Sequence, residues 1–101
     1  MSSPRSYRLV LSPKAEQDIE DILRYTGTTW GEAQLLAYQH LLDEALRTLL
    51  NNPAAGLTSL DLSERYRLHL VGSDLIVDRV QEESIGVLRI LHQRMSLALH
   101  V

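Results

Sequence analysis

The side chains of this sequence best suited to chemistry are cationic and gather in its C-terminal half: Arg65, Arg67, His69, Arg79, Arg89, His92, Arg94 and His100. Residues 85–101 contain no Asp or Glu at all. Guanidinium groups hold phosphate or carboxylate oxygens, and an imidazole titrating near neutrality moves protons, so such a set could dock a partner or assist a transfer. The chain as a whole carries a net charge of −3. That balance argues against gripping nucleic acid through the overall field, and no sequence-specific DNA binding by this chain alone is expected. Glu16, Asp18, Glu20 and Asp21 concentrate early and read as the solvated face of a helix, without a paired-carboxylate mechanism. With no cysteine there is no thiolate nucleophile, disulfide or thiolate metal site. The histidines do not fall at zinc-ligand spacing, and P-loop, dinucleotide and serine-nucleophile motifs are absent, so no metal and no cofactor are expected.

The elements that must position these groups follow from periodicity. Residues 7–11 alternate as a short strand and run into Ser12-Pro13, a helix start in which serine caps an exposed N–H and proline lacks only an orphaned one. Ala15, Ile19, Ile22 and Thr26 then recur at helical spacing with Leu23 beside them, and Glu20 and Arg24 stand four apart, a surface pair of about 0.3 kcal/mol. Gly27 and Trp30-Gly31 interrupt this pattern. A second stripe of Leu35, Tyr38, Leu42, Ala45 and Leu49, widened by Leu41, Leu46 and Leu50, predicts a heavily buried helix that ends at Asn51-Asn52-Pro53, where asparagine tolerates a left-handed cap. So short a connection predicts an antiparallel helical hairpin.

After an aperiodic surface connection over residues 54–64, three β-rich runs are separated by Gly72-Ser73-Asp74 and Gln81-Glu82-Glu83-Ser84. The expected class is α+β: a strand, a helical hairpin, then a three-stranded antiparallel meander, with the helices packed on one sheet face and the first strand joining an edge. Alternation assigns Tyr66, Leu68, Leu70, Ile76, Val80, Leu88 and Ile90 to the helix-facing side. It assigns Arg65, Arg67, His69, Val77, Arg79, Val87 and Arg89 to an open opposite face, which is either a docking surface or an ordinary solvated one. Residues 1–101 are expected to form a single domain, since the length suits one modest core. No apolar run reaches the roughly 20 residues of a membrane span, no signal-peptide pattern opens the chain, and a cytoplasmic protein is expected.

Several segments resemble one known family. Tyr7-Arg8-Leu9, Ser12-Pro13-Lys14-Ala15-Glu16-Gln17-Asp18-Ile19, Tyr25-Thr26, Trp30-Gly31-Glu32-Ala33-Gln34, Asn52-Pro53, Val71-Gly72-Ser73, Arg79-Val80 and Val87-Leu88-Arg89-Ile90-Leu91-His92-Gln93-Arg94-Met95 match, in order and spacing, the ParE toxins of the RelE/ParE toxin–antitoxin superfamily. The resemblance implies a single ParE-like toxin domain. It further implies a toxin that poisons DNA gyrase as a binder rather than as an enzyme, neutralised by a ParD-like antitoxin in a hetero-oligomeric complex. The antitoxin would lay a segment over the hairpin at Ile22, Tyr25, Trp30, Leu35, Tyr38 and Leu42. Target contact falls to Arg65, Arg67, Arg79, Arg89, His92 and Arg94. The RelE branch of the same superfamily cleaves messenger RNA on the ribosome, so the alternative is an endoribonuclease using Arg67, His69, Arg94 and His100. A toxin kept only as an antitoxin-binding module is a third reading. The sequence departs from the family pattern in three places: His69-Leu70 replaces a frequent Phe-Pro pair, Asp78 stands where an aromatic is common, and Gln93 and Ser96 flank Arg-Met where Gly and Asp are frequent.

Overall fold

The computed structural model describes residues 7–52, 56–57 and 66–92, the side chain of His92 excepted. Arg65, Arg94 and His100 lie outside the described residues, as does the His92 side chain. In chain order the elements are β1 (Arg8–Leu11), α1 (Pro13–Trp30), α2 (Glu32–Asn51), β2 (Tyr66–Val71), β3 (Asp74–Val80) and β4 (Ser84–His92). The sheet order is β1-β4-β3-β2, with β1 parallel to β4 and the other neighbours antiparallel. The expected α+β class and the edge position of the first strand are both observed.

Ser12 starts α1 and also ties it to the sheet. Its Oγ accepts from the Ala15 N–H at 2.9 Å and donates to the Leu88 carbonyl at 2.6 Å. Ser12→Ala removes a cap and leaves a sheet-edge carbonyl without its donor, a loss of about 2 kcal/mol. A urea midpoint unchanged from that of the unaltered chain would show that neither bond contributes.

Contrary to the expected interruption, α1 runs through Gly27. There α2 passes close: a Cβ would fall 2.6 Å from Leu35 Cδ1, which would have to turn aside. Only Gly31, at φ +96°, separates the helices, a conformation that side-chain-bearing residues rarely adopt. At the other end of α2, Asn52 sits at φ −135° rather than in a left-handed cap. The Glu20–Arg24 pair also does not form; Arg24 approaches Asp21 instead, at 3.6 Å and well exposed, where it contributes little. Among the described residues no helix is long and apolar enough to cross a membrane.

The hairpin and the sheet enclose a core of Ala15, Leu42, Leu49, Val71, Ile76, Ile85, Val87 and Ile90. A second cluster, Leu68, Val77 and Leu91 with Tyr66 and Leu75 against it, lies on the other face of the sheet. This corrects the expected faces. Val71 pairs with Asp74 across the two-residue turn Gly72-Ser73, whose one positive φ at Gly72 suits a type II′ hairpin, and the register places Arg67, His69, Val71, Ile76 and Asp78 on the helix-facing side. Tyr66 and Leu68 therefore point away from the helices. On β4 the register shifts opposite Val77/Asp78, so Val87 and Ile90, three apart, both reach the helix-facing core. The face away from the helices is not an open arginine surface, because Leu68, Val77 and Leu91 are buried on it.

Candidate functional site

A groove of about 600 Å³ opens where α1, α2, the β2–β3 turn and the far half of β4 converge. Ile22, Tyr25 and Trp30 of α1, Tyr38 and Leu41 of α2, and Ile90 and Leu91 of β4 supply its apolar lining. Tyr25, Trp30 and Leu41 are 65%, 70% and 44% exposed, while the core beneath them is closed, so the groove holds apolar surface that folding does not bury. Its polar lining includes Asp18, Asp21, Asp74 and Arg89.

Two buried polar contacts shape the groove. At the β4 edge beyond β1, Asp18 Oδ2 accepts from Arg89 Nε at 2.8 Å and from the Ile90 N–H at 2.9 Å, and Asp18 Oδ1 accepts from Arg89 Nη2 at 3.0 Å. The hydrogen bonds and charge of Asp18 hold the Arg89 guanidinium above its usual pKa range, against the opposing effect of burial. The carboxylate also occupies a strand-edge N–H that would otherwise be open to another chain. At the opposite wall the Tyr38 hydroxyl donates to Asp74 and lies 3.2 Å from the Val71 carbonyl. Burial first, then the Asp74 hydrogen bond and charge, push the Tyr38 phenol well above its usual range, so it stays a donor and fastens α2 to the turn.

Among the hairpin residues expected to meet a partner, Ile22, Tyr25, Trp30 and Tyr38 come together in this groove. Leu35 does not line it and packs at Gly27, and Leu42 is a core residue, 2% exposed. The described basic residues are not brought together. Arg67 lies on the helix-facing side by register and donates to the Tyr66 carbonyl; Arg79 lies on the other face; Arg89 is clamped at the edge. His69 is largely buried, its Nε2 3.2 Å from Oδ1 of the fully buried Asp78, with Gly56 directly behind the ring.

Asp18, Leu41 and Asp74 escaped the sequence reading. For Asp18 a signal existed: it stands three residues after Ala15 and four before Ile22, on the margin of the apolar stripe, so it was never a purely solvated acid.

Residues 9–97 match the family model described as the ParE toxin of type II toxin–antitoxin systems, parDE. The chain belongs to the ParE toxin family. It is 36% identical over 93 residues to Toxin ParE1 of Mycobacterium tuberculosis, a match spanning 91% of this chain and 95% of that one. It is 30% identical over 97 residues to Toxin ParE1 of Caulobacter vibrioides, spanning 96% and 98%. Among solved structures, the chromosomal ParDE toxin–antitoxin system from P. aeruginosa superposes with a TM-score of 0.74 at 22% identity, covering 86% of this chain and 96% of that chain. The helical hairpin on a four-stranded sheet is thus the fold of ParE-like toxins, and this chain is a toxin of the type II toxin–antitoxin class.

Proposed function

We propose that this ParE-family toxin arrests growth by holding DNA gyrase in a DNA-cleaved state, acting as a binder, and that a ParD-like antitoxin neutralises it within a hetero-oligomeric complex by filling the groove of the hairpin. What supports the antitoxin half is the exposed lining of that groove by Tyr25, Trp30 and Leu41, amphipathic and apolar side chains suited to a partner segment that orders on binding. The structural neighbour from P. aeruginosa is itself a ParDE system. The gyrase half rests on the ParE-type segments Tyr25-Thr26, Trp30-Gly31-Glu32-Ala33-Gln34 and Leu91-His92-Gln93-Arg94-Met95. Arg67 and Arg79 are its described candidates for target contact, one on each sheet face, and a target that touches both must wrap the β2 edge.

The ribonuclease alternative draws less support. Of its described residues, His69 is packed against Asp78 and backed by Gly56, a poor position for a group that must reach a 2′-hydroxyl. Incubating purified toxin with gyrase from the same organism is expected to inhibit supercoiling and accumulate linear DNA. No inhibition at micromolar toxin, with transcripts cleaved at defined codons in a primer-extension assay on translating messages, would replace this reading with the ribonuclease one.

A further inference from the structure

We infer that the groove selects a partner segment that carries a cationic side chain beside its apolar face, and that Asp21 is the residue that reads it. The inference rests on the antitoxin-docking reading and adds the chemistry of the occupant. The groove lining holds three carboxylates, Asp18, Asp21 and Asp74, against one guanidinium, Arg89. These acids are not equivalent. Both oxygens of Asp18 are engaged by Arg89, one of them also by the Ile90 N–H, so its charge is cancelled within the chain. Asp74 is buried and accepts from the Tyr38 hydroxyl, so it serves the wall that it belongs to.

Asp21 differs in both respects. Its side chain is 58% exposed, and the two groups that approach it, the Gln17 amide at 2.9 Å and the Arg24 guanidinium at 3.6 Å, both address Oδ1. Arg24 is itself 70% exposed, so the pair is loose and the carboxylate stays open to an incoming donor. Asp21 directly precedes Ile22 and stands four residues before Tyr25, so a cation placed there sits at the rim while the apolar side chains beside it enter between Tyr25, Trp30 and Leu41. An apolar centre with a charged rim is how such interfaces divide affinity from selectivity. A neutral segment of the same shape would leave Asp21 with only the exposed Arg24 as countercharge, and an acidic one would be repelled. The capped Ile90 N–H removes one of the main-chain donors that a strand-like occupant would use, which shifts recognition toward side chains.

The test compares toxin variants for binding to the full-length antitoxin encoded beside this chain. Asp21→Lys is expected to weaken binding at least tenfold and Asp21→Asn severalfold, with a flatter salt dependence than the unaltered toxin. Glu20→Lys makes the same charge change outside the groove lining and is expected to leave affinity within twofold. Trp30→Ala reports on docking itself and is expected to weaken binding tenfold or more. If Asp21→Lys binds as tightly as the unaltered toxin while Trp30→Ala does not, the charge-reading inference is overturned and groove docking stands. Equal weakening by Glu20→Lys and Asp21→Lys also overturns it, because the effect is then one of net charge. If Trp30→Ala too binds unchanged, groove docking itself fails.

Discussion

Replacing Asp18 with alanine should destabilise the toxin by about 3 kcal/mol, seen as a lowered midpoint of urea unfolding at an unchanged m-value. The carboxylate is 13% exposed and its Arg89 partner 16%, and the two guanidinium bonds at 2.8 and 3.0 Å form a two-pronged pair. Removing the acid takes two charged hydrogen bonds from a largely buried guanidinium and also strips the Ile90 N–H of its acceptor. Arg89→Ala should be milder, about 2 kcal/mol, because Asp18 keeps the Ile90 bond and the acid is near enough to the groove to recover some water. The order Asp18→Ala worse than Arg89→Ala is the signature of this geometry. Equal losses would mean that the backbone bond contributes nothing, and the reverse order would contradict the clamp. Loss of toxicity in Arg89→Ala should accordingly follow the fraction unfolded, as for a structural residue, and not reflect a missing target contact.

The second large effect is expected at the other buried charge. Asp78 is completely enclosed and His69 nearly so; they are diagonal neighbours across β2 and β3, 3.2 Å apart, and neither Asp78 oxygen nor His69 Nε2 makes a well-formed hydrogen bond among the described residues. A buried carboxylate with so little compensation lowers stability, and removing its nearest basic neighbour makes matters worse. His69→Ala should therefore lose about 3 kcal/mol, since it leaves Asp78 to rely on Arg67, its register partner on the same face. The double variant His69→Leu with Asp78→Leu should be at least as stable as the unaltered chain and up to about 3 kcal/mol more so, because apolar packing replaces two desolvated polar groups. A double variant less stable than His69→Ala would show that the pair contributes specific structure instead. Both residues are among the departures from the family pattern, and the fold brings them into contact. Replacing the pair tests the stability of this buried spot separately from target choice.

Toxin identity was legible in the sequence. The cap at Ser12-Pro13, the two helical stripes, the Val71-Gly72-Ser73 turn and the three β-rich runs are local signals, set by backbone preference and by side-chain period within a few residues. They determined the class, the element order and the family. Part of the groove was legible as well, because Ile22 and Tyr38 sit in the helical stripes and the resemblance added Tyr25 and Trp30 beside them.

The distribution of charge was not. Strand alternation can be read only once the phase is known, and β2 offers Leu68 and Leu70 on one phase against Val71 on the other; the two-residue turn, not hydrophobicity, settles which side faces the helices. The register shift opposite Val77/Asp78 then inserts one residue into β4, which sends Val87 inward and leaves Arg89 at the edge beside Asp18. The partners of the decisive carboxylates are remote: Arg89 is 71 residues from Asp18 and Tyr38 is 36 from Asp74. No period within an element encodes such distances. The sequence by itself therefore determined that this is a ParE toxin with an apolar hairpin surface, because those features are properties of single elements. Only the tertiary structure decided that the described arginines do not form one face, that Asp18 and Asp74 belong to the walls of the groove, and that Asp21 stands exposed at its rim, because each depends on which strand phase the turn and the bulge select.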